Sequence, residues 1–79
     1  MPTVFILLGF RFYFFANNHE PRHLHISRGS SDAKYNLVPK IRLIKNLWFK
    51  KSELKIIKGV IERNREIIIA RWTDFFYNK

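Results

Sequence analysis

Hydrophobic positions crowd the first fifteen residues of the chain. Residues Thr3–Leu8 are mostly β-branched and aliphatic, and Phe10–Phe15 is almost wholly aromatic, with Gly9 between the two runs. This pattern predicts a β-hairpin, because glycine can adopt the positive φ that a tight turn requires. A turn at residues 9 and 10 would place Leu8 opposite Arg11 across the hairpin, and Ile6 opposite Tyr13. Both faces of this hairpin are largely apolar, and Phe10, Phe12 and Phe14 would share the face opposite to these pairs.

A second hairpin is predicted further along the chain. Polar and apolar residues alternate over His23–Arg28 and again over Asp32–Val38, and a turn-forming Gly29-Ser30 pair separates the two runs. A loop at these two residues would place His25 opposite Lys34, with polar side chains facing polar ones. The other expected cross-strand pairs are Leu24 with Tyr35, Ile26 with Ala33, and His23 with Asn36.

The rest of the chain is predicted to be mainly helical. Pro39 ends the preceding strand, and Lys40–Phe49 is mixed enough to hold either a short strand or a turn. Ser52 is a plausible N-cap for a helical pattern that reaches Tyr77, either as one helix or as two separated at Asn64. The predicted fold class is therefore α+β. A small antiparallel β-sheet of about four strands would pack against C-terminal helical segments, in a single domain over residues 1–79.

Charge and composition narrow the classes of function. The chain has 79 residues, no cysteine and a formal net charge of +9. It therefore offers no disulfide or thiol nucleophile, and its basic surface favours polyanions such as RNA, DNA or an acidic protein. No cofactor-binding motif is present, so no cofactor is expected. The apolar run near the start is interrupted by Arg11, far short of a membrane span of about 20 residues. We therefore expect a soluble cytoplasmic protein that does not act at a membrane.

All three histidines fall in one short stretch, "NNHEPRHLHI". His23 and His25 are two apart on a predicted strand, so their side chains should project from one face. Three interpretations remain open. The imidazoles could be structural, hydrogen-bonded strand residues, or they could bind a metal with His19 or Glu20 as a third ligand. Acid–base chemistry or phosphate recognition is the third, and we take it as the leading hypothesis without assigning a metal site.

The third interpretation assigns catalytic roles to three residues. Cleavage of an RNA phosphodiester needs a base, an acid and a cation for the developing phosphorane charge, and His23, His25 and Lys34 could supply them on one sheet face. The nucleic-acid contacts expected around them are Arg11, Arg22, Arg28 and Asn36. The closing "RWTDFFYNK" carries more aromatic residues than one helical stripe can bury, so some are expected to meet a partner chain or a second copy.

Several motifs taken together resemble a known family. They are "MPTV", "GFRFYFF", "NNHEPRHLHI", "AKYNL" and "NREIIIARWTDFF", in this order over nearly the whole chain. The sequence resembles small prokaryotic proteins described as a domain of unknown function, with a Pro-x-His-x-His strand that Pro21, His23 and His25 match. Most family members have a second proline before the first histidine of the pair, where this chain has Arg22.

The resemblance implies a setting but no known reaction. Proteins of this kind resemble one half of toxin–antitoxin pairs, which implies a bacterial cytoplasmic protein with a small cognate antitoxin-like partner. The leading prediction is a toxin-like component that engages RNA through the His-x-His face, and the sequence leaves open whether it also cleaves the RNA. The alternative is a non-enzymatic basic protein that binds DNA or a protein partner and whose histidines are structural.

Overall fold

The computed structural model describes residues 3–14, 23–37 and 40–77. Five strands precede two helices in this part of the chain, which confirms the α+β class, with one strand more than the four expected. The additional strand, β5, lies in the segment that the sequence left open between a strand and a turn. The elements are β1 (Thr3–Leu7), β2 (Phe10–Tyr13), β3 (His23–Arg28), β4 (Ser31–Asn36), β5 (Arg42–Leu47), α1 (Lys51–Arg63) and α2 (Arg65–Tyr77).

The five strands form one antiparallel sheet in the order β1-β2-β3-β4-β5. The β3–β4 hairpin has the predicted register, with His25 opposite Lys34 and the other three expected pairs also in place. Its turn falls at Gly29, which has a φ of +60°. Alternating polarity was sufficient to predict this register, because a shift by one residue would have exposed every apolar side chain of the hairpin.

The β1–β2 hairpin differs from the predicted register. Leu7 pairs with Phe10 and Ile6 with Arg11, so the expected pairs of Leu8 with Arg11 and Ile6 with Tyr13 are wrong. The turn residues are Leu8 and Gly9, with φ of +55° and +81°. Two consecutive positive φ values are the signature of a type I′ turn, whose twist matches that of the flanking strands. Glycine therefore occupies the second turn position rather than the first.

The two helices cover one face of the sheet and form the core with it. The predicted aromatic face is confirmed, since Phe10, Phe12 and Phe14 are all buried. Side chains from both helices pack against it in a single cluster, with Phe10 and Phe49 in ring contact at 5.8 Å. The helical residues in that cluster are Ile57, Val60, Ile61, Ile68 and Trp72.

The helix boundaries show that the C-terminal helical region consists of two helices, and they correct the predicted N-cap of the first. Asn64 separates two helices, and its side-chain amide donates to the carbonyl of Val60 at 2.8 Å. The first helix begins at Lys51, so Ser52 is not its N-cap and that prediction is wrong. Glu53 supplies the stabilising contact instead, because its carboxylate accepts the backbone N–H of Lys50 at 2.8 Å. Among the described residues, neither helix is long and apolar enough to span a bilayer.

Candidate functional site

The face of the sheet turned away from the helices carries most of the polar residues of the strands. We call it the open face, and three of its side chains, those of Tyr13, His23 and His25, are themselves buried. Strand pairing aligns Tyr13, His25, Lys34 and Lys45 in one row across β2, β3, β4 and β5. Directly paired positions in an antiparallel sheet hold their Cβ atoms about 4.5–5.5 Å apart. The imidazole of His25 therefore lies next to Lys34, and Lys45 follows on the next strand of the row.

Two further rows flank this one on the open face. On one side, Arg11 pairs with Ser27, which pairs with Asp32, which pairs with Leu47. On the other side, His23 pairs with Asn36, and Asn36 with Arg42 of the edge strand. The three proposed catalytic residues thus lie on one face, together with two of the proposed nucleic-acid contacts, Arg11 and Asn36.

A cavity of about 140 Å³ opens at the junction of β3, β4 and β5. A cavity of this order can hold a benzene-sized ligand. Two lysines and one carboxylate provide its charges, and Leu47 adds an apolar wall. Its lining consists of His25, Asp32, Ala33, Lys34, Lys45 and Leu47. The space is therefore suited to a ligand with both an anionic part and hydrogen-bond donors.

Asp32 is the acidic member of the cavity. Its Oδ1 atom is buried and accepts no hydrogen bond from the residues that the structure describes. A buried acceptor without a donor costs about 1–3 kcal/mol. Because the residue also lines the cavity, its carboxylate adds negative charge there beside the two lysines.

The environment of His25 fixes its protonation state. Its ring stacks on Tyr13, with the centroids 5.5 Å apart and the planes inclined by 27°, and the residue is only 9% exposed. Burial, followed by the nearby Lys34 and His23, lowers the pKa of His25 from 6.5 to about 4. The imidazole is therefore neutral at neutral pH. It can act as a hydrogen-bond donor or acceptor, but its acidic form is rare.

His23 lies next along the same face of β3 and is also buried, at 7% exposed. It does not line the cavity at His25. The two imidazoles are therefore held within the fold, whereas Lys34 and Lys45 supply the positive charge at the cavity. Of the three predicted catalytic residues, His25 and Lys34 line the cavity, and His23 lies beside it on the same strand.

The remaining predicted contacts are placed differently. Arg11 lies over the Tyr13 ring at 4.7 Å, beside the central row. Arg28 faces the helix side of the sheet, where it stacks on Phe10 at 4.1 Å and pairs with Glu53. It is therefore separated from the histidines and contributes to packing. Arg22, and the proposed metal ligands His19 and Glu20, lie outside the described residues.

Within the described residues, no group of three or more potential metal-ligating side chains occurs. The metal interpretation thus depends on His19 and Glu20, which lie beyond that part of the chain.

Sequence reasoning missed three members of the open-face cavity: Asp32, Lys45 and Leu47. Asp32 lay on a predicted strand, and its alternation already placed it on the histidine face. Lys45 and Leu47 could not be placed, because the sequence allows either a strand or a turn in their segment and the pairing of β5 with β4 shifts register between Lys34 and Tyr35. A signal for Asp32 therefore existed, but one for Lys45 and Leu47 did not.

The fold and the open face define a small basic α+β protein with one sheet, covered by helices on one side and lined with lysine and histidine on the other. The chain belongs to the DUF4160 family, a domain of unknown function, whose sequence model matches residues 9–73. This agrees with the resemblance to a domain of unknown function. No curated protein and no solved structure matches the chain.

Proposed function

We propose that this protein is a toxin-like component of a toxin–antitoxin-type module and that it binds RNA across the open face of its sheet. The observation that carries the proposal is the row of Tyr13, His25, Lys34 and Lys45 across four strands. Two lysines side by side attract a phosphate, and the net charge of +9 draws a polyanion toward the whole surface.

The mixed charge of the cavity supports RNA over inorganic phosphate as its ligand. A phosphate would contact Lys34 and Lys45, while the carboxylate of Asp32, which also lines the cavity, would attract a 2′-hydroxyl or a base amino group. RNA offers both kinds of group within one nucleotide. Inorganic phosphate carries its charge and its remaining protons on one small group, so it would place anionic oxygens near the Asp32 carboxylate as well as near the lysines.

Binding is better supported than cleavage. A general acid works best when its pKa lies near the working pH, and a pKa of about 4 leaves His25 almost wholly neutral. A phosphate bound beside it would favour the imidazolium and raise that pKa. Cleavage thus becomes accessible only in the complex, with His23 and His25 sharing the acid and base roles and Lys34 stabilising the phosphorane.

RNA binding can be tested with the purified protein and a fluorescently labelled 20-nucleotide RNA at low salt. We expect Lys34→Ala/Lys45→Ala to weaken binding at least ten-fold and to flatten its salt dependence. The matched control is Lys58→Ala/Arg71→Ala, which removes the same charge from exposed helical positions. Equal weakening of RNA binding by both variants would mean that net charge alone causes the effect, and it would refute a binding site on the open face.

Cleavage is tested in the same samples. Product formation by the wild-type protein that is lost in His25→Ala, with binding retained, would assign catalysis to this face. Intact RNA after prolonged incubation of the complex would restrict the function to binding.

The module-level part of the proposal draws on the resemblance and concerns a cytoplasmic protein with a small antitoxin-like partner. Its test is expression with and without the neighbouring gene, for the wild type and for Lys34→Ala/Lys45→Ala. We expect growth arrest that either the neighbour or the substitution relieves. Normal growth on expression of the wild type alone would argue against a toxin.

A second candidate function is a non-enzymatic binding protein for DNA or a protein, with structural histidines. The burial of both imidazoles favours it. Tighter binding of a DNA duplex than of RNA of equal length, unaffected by His25→Ala, would support this alternative.

A further inference from the structure

Strand β5 forms one edge of the sheet, and its side chains are exposed along its whole length. Edge strands that carry exposed apolar residues invite pairing with another chain, and natural proteins usually protect them. Large apolar residues are exposed here on the strand and just after it: Leu43, Ile44, Leu47 and Trp48. This edge is therefore a candidate interaction surface.

The turn after β5 presents Trp48 to solvent. The residue has a φ of +76° and is 78% exposed, both of which are unfavourable for a tryptophan in an isolated protein. The turn is nevertheless fixed. The side-chain amide of Asn46 accepts the backbone N–H of Phe49 and donates to its carbonyl, each at 3.1 Å, and Phe49 is buried in the core. Backbone strain held in place by surrounding contacts is common at functional sites.

The charge around this edge is strongly positive. Residues 40–51 contain five cations and no acidic residue; the cations are Lys40, Arg42, Lys45, Lys50 and Lys51. Two copies of the chain paired through β5 would bring these charges together, which disfavours self-association. A partner of opposite charge would be attracted.

A groove of about 470 Å³ runs between β5 and α1, beside the edge. It combines an apolar floor with a cationic rim. The floor includes Ile41, Leu43 and Leu54, and the rim includes Lys51, Lys55 and Lys58. Apolar side chains could enter the groove while acidic ones meet the lysines.

We propose that β5 and Trp48 form a docking site for an extended acidic segment of a protein partner, which adds a sixth strand to the sheet. Alternate side chains of an added strand point to opposite faces. Those on the helix side would fill the groove near Leu43, and those on the open face would meet Arg42 and Lys45. The site therefore selects a segment in which apolar and acidic residues alternate, with Trp48 packing against its end.

This inference is independent of RNA binding. Lys45 belongs to both surfaces, so the variants that test the docking site are placed at Leu43, Trp48 and Lys51 instead.

The probe is a ten-residue peptide of alternating Val and Glu, compared with its Val/Lys counterpart. The protein has two tryptophans, and only Trp48 is exposed, because Trp72 is buried at 4%. Neither peptide contains an aromatic residue, so a blue shift in protein emission reports burial of Trp48. We expect this shift with the Val/Glu peptide alone, together with slower hydrogen exchange at the amides of β5.

Matched variants locate the binding surface. Leu43→Ser and Lys51→Glu should each weaken binding of the Val/Glu peptide by about ten-fold or more, the scale of a substantial interface contact. Ile67→Ser and Arg71→Glu make the same chemical changes at exposed positions of α2 and should leave the affinity within about two-fold. Trp48→Phe should remove the emission change while the β5 amides still gain protection.

Any of the following results would overturn the proposal. One is absence of Val/Glu peptide binding at concentrations up to about 1 mM. Another is binding of the Val/Lys peptide with equal affinity. Equal weakening by the α2 control variants would also refute it. The last is quenching of Trp48 by oligouridine without any response to the Val/Glu peptide, which would identify a base-stacking surface instead.

Discussion

His25 is the residue at which the sheet most strongly alters a side chain's chemistry. Stacking on Tyr13 and burial remove water from its ring, and Lys34 is the directly paired residue. Both effects disfavour the imidazolium, which lowers the pKa of His25 to about 4. The neutral ring retains one N–H that can donate a hydrogen bond in the cavity that Lys34 and Lys45 also line, a combination suited to holding a phosphodiester.

The titration of His25 should make the free energy of unfolding depend on pH. Between the ordinary pKa of 6.5 and the folded value of about 4, the unfolded chain binds a proton that the folded chain does not. The free energy of unfolding should therefore fall as the pH drops through this window, by on the order of 3 kcal/mol from His25. Denaturant unfolding at pH 7 and pH 4.5 measures the loss, and His25→Gln should reduce it.

Imidazole NMR provides the direct control. Replacing Lys34 with Met removes one of the causes of the shift and should raise the pKa of His25, although burial should keep it below 6.5. A midpoint near 6.5 in the wild-type protein would contradict the buried, lysine-flanked environment.

Trp48 supports a second prediction at this scale. Its positive φ costs about 1 kcal/mol or more for a residue with a Cβ, and its exposed side chain contributes little buried area. Trp48→Gly should therefore raise the free energy of unfolding by about 0.5–1 kcal/mol, measured with urea. Leu47→Gly, one position earlier in the strand, should lower it. A loss of stability in Trp48→Gly would show that the indole supports the fold rather than serving a partner.

At the scale of elements, the first hairpin offers a similar test. Its type I′ turn requires positive φ at both central residues, and Leu8 is a poor choice for the first of them. Asn followed by Gly is the preferred pair, so Leu8→Asn should stabilise the protein by about 0.5–1 kcal/mol. Thermal unfolding measures the gain, with Leu8→Ala as the control that retains the strain. No difference between the two variants would mean that the turn has another conformation in solution.

The two hairpins also show when a sequence determines register. In β3–β4, polar and apolar residues alternate cleanly, so only one register keeps Leu24 and Ile26 in the core. In β1–β2, the side chains are largely apolar on both faces, and the pattern does not distinguish neighbouring registers. The observed register is the one that allows a type I′ turn, and the polarity pattern alone does not indicate this preference.

The edge strand limited prediction of the site in the same way. The face shared by His23, His25 and Lys34 follows from the alternation of one hairpin, so it could be predicted. The position of Lys45 depends on a strand without regular alternation and on a register shift in its pairing with β4. Lys45 comes to lie beside Lys34 only through the pairing of β5 with β4, which the local sequence pattern does not indicate.

At the scale of the whole molecule, the core and the proposed binding surfaces are divided between the two faces of the described sheet. Helices α1 and α2 complete a core on one face, and the surfaces proposed for binding are the open face and the β5 edge. A domain of 79 residues has little stability to spare, so this core should tolerate substitution poorly. The strained and exposed features lie away from it, at the turns and the edge.

Two consecutive isoleucines of α1 test this division. Ile57 is fully buried in the core cluster, whereas Ile56 is 44% exposed. Ile57→Ala removes the same atoms as Ile56→Ala but leaves a cavity beneath the sheet, so it should cost about 2–5 kcal/mol against well under 1 kcal/mol. Because helix propensity changes equally in both, the difference in urea midpoint isolates burial. Similar losses in the two variants would mean that α1 does not pack against the sheet through Ile57. The identification of the opposite sheet face as the open face would then be wrong.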